Sequence, residues 1–176
     1  MIEQIQLKNE DAIKLIINDA CEKALRSFTE HTFEYTKIAS HWKEPDTNKL
    51  VQKSYHLDKQ DLPELTKLLQ EQDINPDCYV IAVIAGDSQH KWAPHRDKYR
   101  NKSVWYLYKS ADAETHWYDE LEPSTQPAYY DYHQVKLKKT YKLEEHVFYT
   151  FDHQEIHSVS NINGVRCNFS FVTEAI

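Results

Sequence analysis

The chain has 176 residues, about the length of one domain, and its 40% hydrophobic and 28% charged composition is ordinary for a globular protein with a sizeable core. No apolar run approaches the roughly 18 residues of a membrane span, and the net charge of -7 disfavours duplex nucleic acid, which needs a cationic surface. Cys21, Cys78 and Cys167 are widely spaced and form no CxxC, which argues against both a disulfide framework and a thiolate zinc site. The N-terminus has no basic stretch leading into an apolar run, so the expectation is a cytoplasmic protein.

In chain order, the spacing of Ile13, Ile16, Ile17, Ala20, Cys21, Ala24 and Phe28 predicts an amphipathic helix over 10–28. Asn9 stands as its N-cap, and Glu10 and Asp11 suit the first turn. "HTFEYTKIA", 31–39, reads as a strand. A second helix is expected over 61–71, with Asp61 and Glu64 as a capping box, Pro63 in the first turn and Leu62, Leu65, Leu68 and Leu69 on one face. After about residue 77 the texture changes. "CYVIAVIAG", 78–86, is apolar on both faces and predicts a strand covered on both sides. "SVWYLYKS", "THWYDE", "HQVKLKKTYKL", "HVFYTFD", "HSVSN" and "VRCNFSFVT" follow, each short, rich in aromatic or β-branched residues and bounded by polar or turn residues. The expectation is a single domain over 1–176, with a helical N-terminal part over 1–76 and a β-sandwich or barrel core over 77–174.

The chemistry begins at "WAPHRDKYR", 92–100. His95-x-Asp97 alone is weak, because His56-x-Asp58 repeats it by composition. It gains meaning with His157, since two histidines and a carboxylate on one face of an octahedral iron leave the other positions open. His153 rivals His157, but it follows "FYTFD" directly, where a turn is expected. Arg166 comes nine residues after His157, and its planar fork suits a carboxylate. Asn163-Gly164 is a turn signal between the two. As a flat hairpin, Arg166 would face Asn161, roughly 14 Å along the strand from His157. Strand parity puts Arg166, Asn168 and Ser170 on one face and Cys167, Phe169 and Phe171 on the other. The decoy order His56, Asp58, His90, Arg100 leaves too few residues for intervening strands once the 61–71 helix is placed.

His95-x-Asp97, His157 and Arg166, laid over successive short strands, resemble the Fe(II)/2-oxoglutarate-dependent dioxygenases, over roughly residues 78–174. The resemblance implies an α+β, mainly β fold, a double-stranded β-helix (jelly roll) with N-terminal helices packed on the major sheet. It places the strands flanking the Asn-Gly turn in opposite sheets. It implies Fe(II) on His95, Asp97 and His157, with O2 and the cosubstrate 2-oxoglutarate in the remaining positions. Arg166 would hold the distal carboxylate, aided by Asn168, where the family often has Ser or Thr. Oxidative decarboxylation would give succinate and CO2 and, by default, a hydroxylated substrate, either a small molecule or a peptide or protein side chain.

Two alternatives stand beside it: a cupin-like metal enzyme that makes no use of 2-oxoglutarate, and a non-catalytic jelly-roll binding or structural protein. Softer features are a basic cluster of Lys91, Arg96, Lys98, Arg100 and Lys102, which reads as a solvated loop or an anion-steering patch. The stretch 119–132 reads as a substrate lid or as a loop packed by its own aromatics. Trp105, Tyr106, His116 and Tyr118 are strand residues or pocket lining.

Overall fold

The computed structural model describes residues 2–30, 38–43, 50–86, 92–98, 100–124, 126 and 128–175. Helix α1, Glu10–Glu30, buries Ile13, Ile17, Ala20, Cys21, Ala24 and Phe28 on the stripe the sequence periodicity sets. Asn9 precedes it in the left-handed region, at φ 55°, and its carbonyl accepts the first helical bond, from the Ile13 amide. Helix α2 is shorter than expected, Pro63–Gln70. The expected Asp61–Glu64 capping box does not form, because Asp61 is spent one turn earlier. It closes a 3-10 turn over Lys59–Asp61 and accepts from the Asp58 amide at 2.6 Å.

The described residues also form ten strands: β1 (Glu3–Ile5), β2 (Ile38–Lys43), β3 (Leu50–Leu57), β4 (Cys78–Gly86), β5 (Arg100–Lys109), β6 (Glu114–Glu120), β7 (Val135–Tyr141), β8 (Phe148–Asp152), β9 (Ile156–Ser160) and β10 (Gly164–Ala175). They pair antiparallel in a seven-stranded sheet, β1-β8-β5-β10-β4-β3-β2, and a three-stranded sheet, β7-β6-β9. The first 76 residues are therefore not purely helical, since β1, β2 and β3 extend the major sheet at both edges. The strand expected over 31–39 lies mostly outside the described residues, apart from its end in β2.

The two faces of the major sheet differ. Its outer face presents Tyr55, Tyr79, Ile81, Val83, Tyr106, Phe148, Cys167, Phe169 and Phe171 to α1 and α2 in one apolar core. Burying each such side chain stabilises the fold by ~1.5–3 kcal/mol. Its inner face meets the minor sheet across a second cluster of Trp105, Leu107, Trp117, Tyr149 and Phe151. That face is also polar: Ser103, Arg166, Asn168 and Ser170 are all buried there. The chain is thus a jelly roll, a double-stranded β-helix with N-terminal helices on the major sheet.

The β9–β10 connection positions the site. Asn161 and Gly164 take positive φ, 56° and 105°, and the Asn163 amide bonds the Ala111 carbonyl. The chain thereby crosses from the minor sheet to the major sheet. Arg166 accordingly pairs with Ile84 of β4 and not with Asn161, which replaces the flat-hairpin geometry.

Candidate metal centre

His95 and Asp97 do not lie on a regular strand. Their segment stands where a fourth strand of the minor sheet would be, and it joins β9 through a bridge at His95 and His157 and a bond from the Trp92 amide to the Val159 carbonyl. The amides of His95 and His157 each bond the other's carbonyl at 2.9 Å. The Asp97 amide bonds the His153 carbonyl at 3.0 Å, and Gln154 Nε2 donates to the carbonyls of Asp97 and Arg100. Two stretches sixty residues apart are thus laced together, which orders the side chains they carry.

One nitrogen each from His95 and His157 and one oxygen from Asp97 converge, all within 4.8 Å of one another. His95 Nδ1 donates to the Ala93 carbonyl at 2.8 Å, and His157 Nδ1 donates to the Glu155 carbonyl at the same distance. Each ring bonds a carbonyl two residues back. This fixes the proton on Nδ1 and turns the Nε2 lone pair inward, the arrangement a metal ligand needs. The Nε2 atoms stand 3.6 and 4.0 Å from Asp97 Oδ1. The donor set suits a divalent transition metal.

The surroundings keep His157 and Asp97 in the protonation states that metal binding requires. Burial, then the charge of His95, pulls His157 down to about 3, so it is neutral at physiological pH. Burial pushes the Asp97 carboxyl up, but Arg100, the His153 hydrogen bond and the histidine charges outweigh it and hold the carboxyl well below the usual range. Arg100 Nε donates to Asp97 Oδ2 at 2.7 Å, and His153 Nδ1 meets the same oxygen. His153 is the sequence rival of His157. It is fully buried behind Asp97, with Ser103 Oγ on its other nitrogen, and is not among the converging three.

Arg166 and Asn168 lie on the inner face, each 2% exposed. The Arg166 guanidinium stacks 5.3 Å from the Trp105 ring, Trp105 stacks on Phe151 at 4.2 Å, and Phe151 meets His157 at 4.9 Å. An aromatic floor therefore runs from the histidine to the arginine. Arg166 Nη2 is buried with no hydrogen-bond partner, as are Trp105 Nε1 and Trp117 Nε1. Burial lowers Arg166 to about 10, so it stays cationic at neutral pH.

The basic cluster resolves into paired charges. Arg96 bonds Glu120, Tyr130 Oη and the Gln154 carbonyl, Arg100 bonds Asp97, and Lys102 bonds Glu174. Lys98 is exposed, and Lys91 lies outside the described residues. The 119–132 stretch, described except at 125 and 127, packs along the ligand segment. The Tyr130 amide bonds the Pro94 carbonyl, Tyr132 Oη donates to the Trp92 carbonyl, and the Tyr129 ring lies 5.7 Å from His95. Tyr106 faces α1 and bonds Asn18, whereas His116 and Tyr118 bond Ser160 and Ser158 on β9. In the decoy, Asp58 caps the turn before α2, Arg100 turns to Asp97, and His90 lies outside the described residues. A cleft of about 390 Å³ opens beside the site, lined by Trp117, Tyr118, Lys139, Tyr141, Gln154 and Ile156 among others, and it contains none of the three converging residues.

No family model matches the chain, and no curated protein matches it in sequence. Among solved structures, AviO1 from Streptomyces viridochromogenes Tue57 is similar over 95% of this chain and 85% of its own, with a TM-score of 0.57 and 16% identity. That likeness supports the fold. Vicilin from Corylus avellana (hazelnut) matches 78% of this chain and 31% of its own, at a TM-score of 0.46 and 13% identity. The Escherichia coli ribosomal oxygenase YcfD matches 71% and 32%, at 0.44 and 13%. Among the described residues no helix is long and apolar enough to cross a membrane.

Proposed function

We propose that the protein is an Fe(II)- and 2-oxoglutarate-dependent oxygenase acting on a small molecule or a peptide or protein side chain. The observation that carries this reading is Arg166, a guanidinium 2% exposed whose Nη2 has no partner. A buried charge without a counterion costs several kcal/mol, so a fold that keeps one there implies an anionic ligand. The aromatic floor between His157 and Arg166 favours a ligand that reaches from the metal centre to the arginine, as a dicarboxylate would. Trp105 Nε1 and Trp117 Nε1 add further donors without acceptors, which suits a ligand rich in oxygens.

His95, Asp97 and His157 would hold the iron. With 2-oxoglutarate and O2 it would supply an oxidation that yields succinate, CO2 and the hydroxylated substrate. The protein's own groups bind, orient and exclude water. Arg166 would take the distal carboxylate through its fork, and Asn168 would offer a neutral donor beside it. Trp105 and Phe151 would shield Arg166 from water, which strengthens a charge–charge contact there. Tyr129, about half exposed beside His95, and Tyr132, about half exposed and bonded to the Trp92 carbonyl, would form the rim past which substrate approaches.

The test is anaerobic titration of the Fe(II)-loaded protein with 2-oxoglutarate, followed by a succinate assay in air. Binding together with slow succinate formation, even without substrate, is expected. Arg166→Ala should weaken cosubstrate binding roughly ten- to a hundredfold and leave iron affinity unchanged. An iron-loaded protein that neither binds 2-oxoglutarate nor forms succinate would instead be a metal enzyme without that cosubstrate. A protein that takes up no metal would be a jelly-roll binding module.

A further inference from the structure

We propose that Arg100 and His153 act together as positioning residues that divide the Asp97 carboxylate, reserving Oδ2 for the protein and leaving Oδ1 alone for the metal. The inference rests on the reading of His95, Asp97 and His157 as metal ligands, and it goes beyond that reading in assigning a role to two residues that touch no metal. Asp97 Oδ1 faces the two inward nitrogens at 3.6 and 4.0 Å. Asp97 Oδ2 points the other way, bonded by Arg100 Nε at 2.7 Å and in close contact with His153 Nδ1.

Each donor is itself fixed. His153 is fully buried and carries the Ser103 hydroxyl on Nε2, so a proton donated there leaves Nδ1–H to face the carboxylate. The Phe151 ring lies 4.6 Å from the His153 ring, and the His153 amide bonds the Asn101 carbonyl at 2.7 Å. Arg100 opens β5, and its carbonyl, like that of Asp97, receives Gln154 Nε2. The Arg100 bond and the close His153 Nδ1 contact on one oxygen oppose the rotation that would bring both oxygens to a metal. A carboxylate that binds through both oxygens fills a position an exogenous ligand would otherwise use. Holding Oδ2 would therefore keep such a position open as well as orient the carboxylate.

The probe is Co(II) alone, titrated calorimetrically and followed by its visible absorption, so no cosubstrate enters the test. His153→Leu and Arg100→Met should each weaken Co(II) binding roughly ten- to a hundredfold and change the absorption bands, as lost support of a ligating carboxylate does. His153→Asn keeps an N–H donor near the Nδ1 position and should retain the wild-type spectrum with affinity within about threefold. Arg100→Lys should rescue in part, since it keeps the charge and loses the planar fork. Folded His153→Leu and Arg100→Met proteins with wild-type affinity and spectrum would overturn the proposal while leaving the metal site intact. His153→Asn as weak as His153→Leu would also overturn it, because packing and not the donor would then be at work. Should His153→Leu fail to fold, the Arg100→Met and Arg100→Lys pair decides in the same way. A wild type that binds no Co(II), or an Asp97→Ala protein that binds it equally well, would overturn the metal site and the proposal together.

Discussion

Along β10 the side chains alternate between two environments that share one backbone. Cys167, Phe169 and Phe171 enter the apolar core beneath α1 and α2. Arg166, Asn168 and Ser170 enter the space between the sheets, equally buried and less well satisfied. There Asn168 reaches only a 3.5 Å contact with Ser170, and Arg166 Nη2 has no partner. Burial alone therefore does not separate a structural face from a functional one; the fate of the buried polar atoms does. The outer face lowers the free energy of the folded chain by itself. The inner face, on the reading proposed above, would be completed by a ligand the chain does not contain.

The largest expected effect falls on the outer face. Phe169 is fully buried between Tyr79 and Phe171, with ring centroids at 5.6 and 6.2 Å. Phe169→Ala should cost ~3–5 kcal/mol, read as a lower urea midpoint with an unchanged slope. A loss below about 1 kcal/mol would break the comparison, since the outer face would not be the stabilising one.

Next comes acid. His157 and His153 are lowered from the ordinary 6.5 to about 3 and about 4, both by burial first. The unfolded chain therefore binds more protons than the folded chain as pH falls below about 6.5. Stability contributed by the neutral rings is complete above that pH and drains away toward the folded values. Asp97, held low, adds its own loss only below its ordinary 3.8. The metal-free protein should lose a few kcal/mol between pH 7 and pH 4, measured by urea unfolding at each pH. A flat profile over that range would show that these rings are hydrated, against the burial of both.

How much of this was legible in the sequence follows from how local each signal is. The stripe of α1 and the alternation of β10 are periodic within one element, so the residues announce their faces. The His95, Asp97, His157 and Arg166 order was legible because residue type and spacing survive without coordinates. β3 was not legible. Lys53 stands on the same outward face as Val51, Tyr55 and Leu57, and it interrupts the apolar alternation that marks a strand. β1 is three residues long and exists only because β8 offers an edge. The roles of Arg100 and His153 were hidden for the same reason. One looked like part of a basic loop and the other like a spare ligand, and only the lacing of 95–100 to 153–157 puts both on one oxygen of Asp97.

A sharper test of the comparison replaces the inner cation itself. Arg166→Met keeps the length and removes the charge. Replacing a buried, poorly paired ion by an apolar side chain of similar size is often neutral or stabilising. The metal-free variant should therefore unfold within about 1 kcal/mol of wild type or at higher urea, while 2-oxoglutarate binding weakens roughly ten- to a hundredfold, as in Arg166→Ala. A destabilisation near that of Phe169→Ala would mean that Arg166 serves the core.

The smallest effect belongs to Asn168. Its amide sits one strand step from Arg166 on the same face, and its Nδ2 lies 3.5 Å from Ser170 Oγ, at the outer limit for a hydrogen bond. It is thus nearly free to turn toward a ligand held by Arg166. A neutral hydrogen bond contributes ~0.5–1.5 kcal/mol, so Asn168→Ala should weaken 2-oxoglutarate binding only about two- to tenfold. Asn168→Ser restores a short donor at the position where the dioxygenases it resembles often carry one, and it should bind at least as well as Asn168→Ala. Both should leave Co(II) affinity and the urea midpoint close to wild type, because neither touches the metal ligands or the outer core. Calorimetric titration of the three proteins under anaerobic conditions measures the series. A hundredfold loss in Asn168→Ala would promote Asn168 from auxiliary donor to principal anchor, and the weight placed on the unpartnered Nη2 of Arg166 would then have to move one residue pair along the strand.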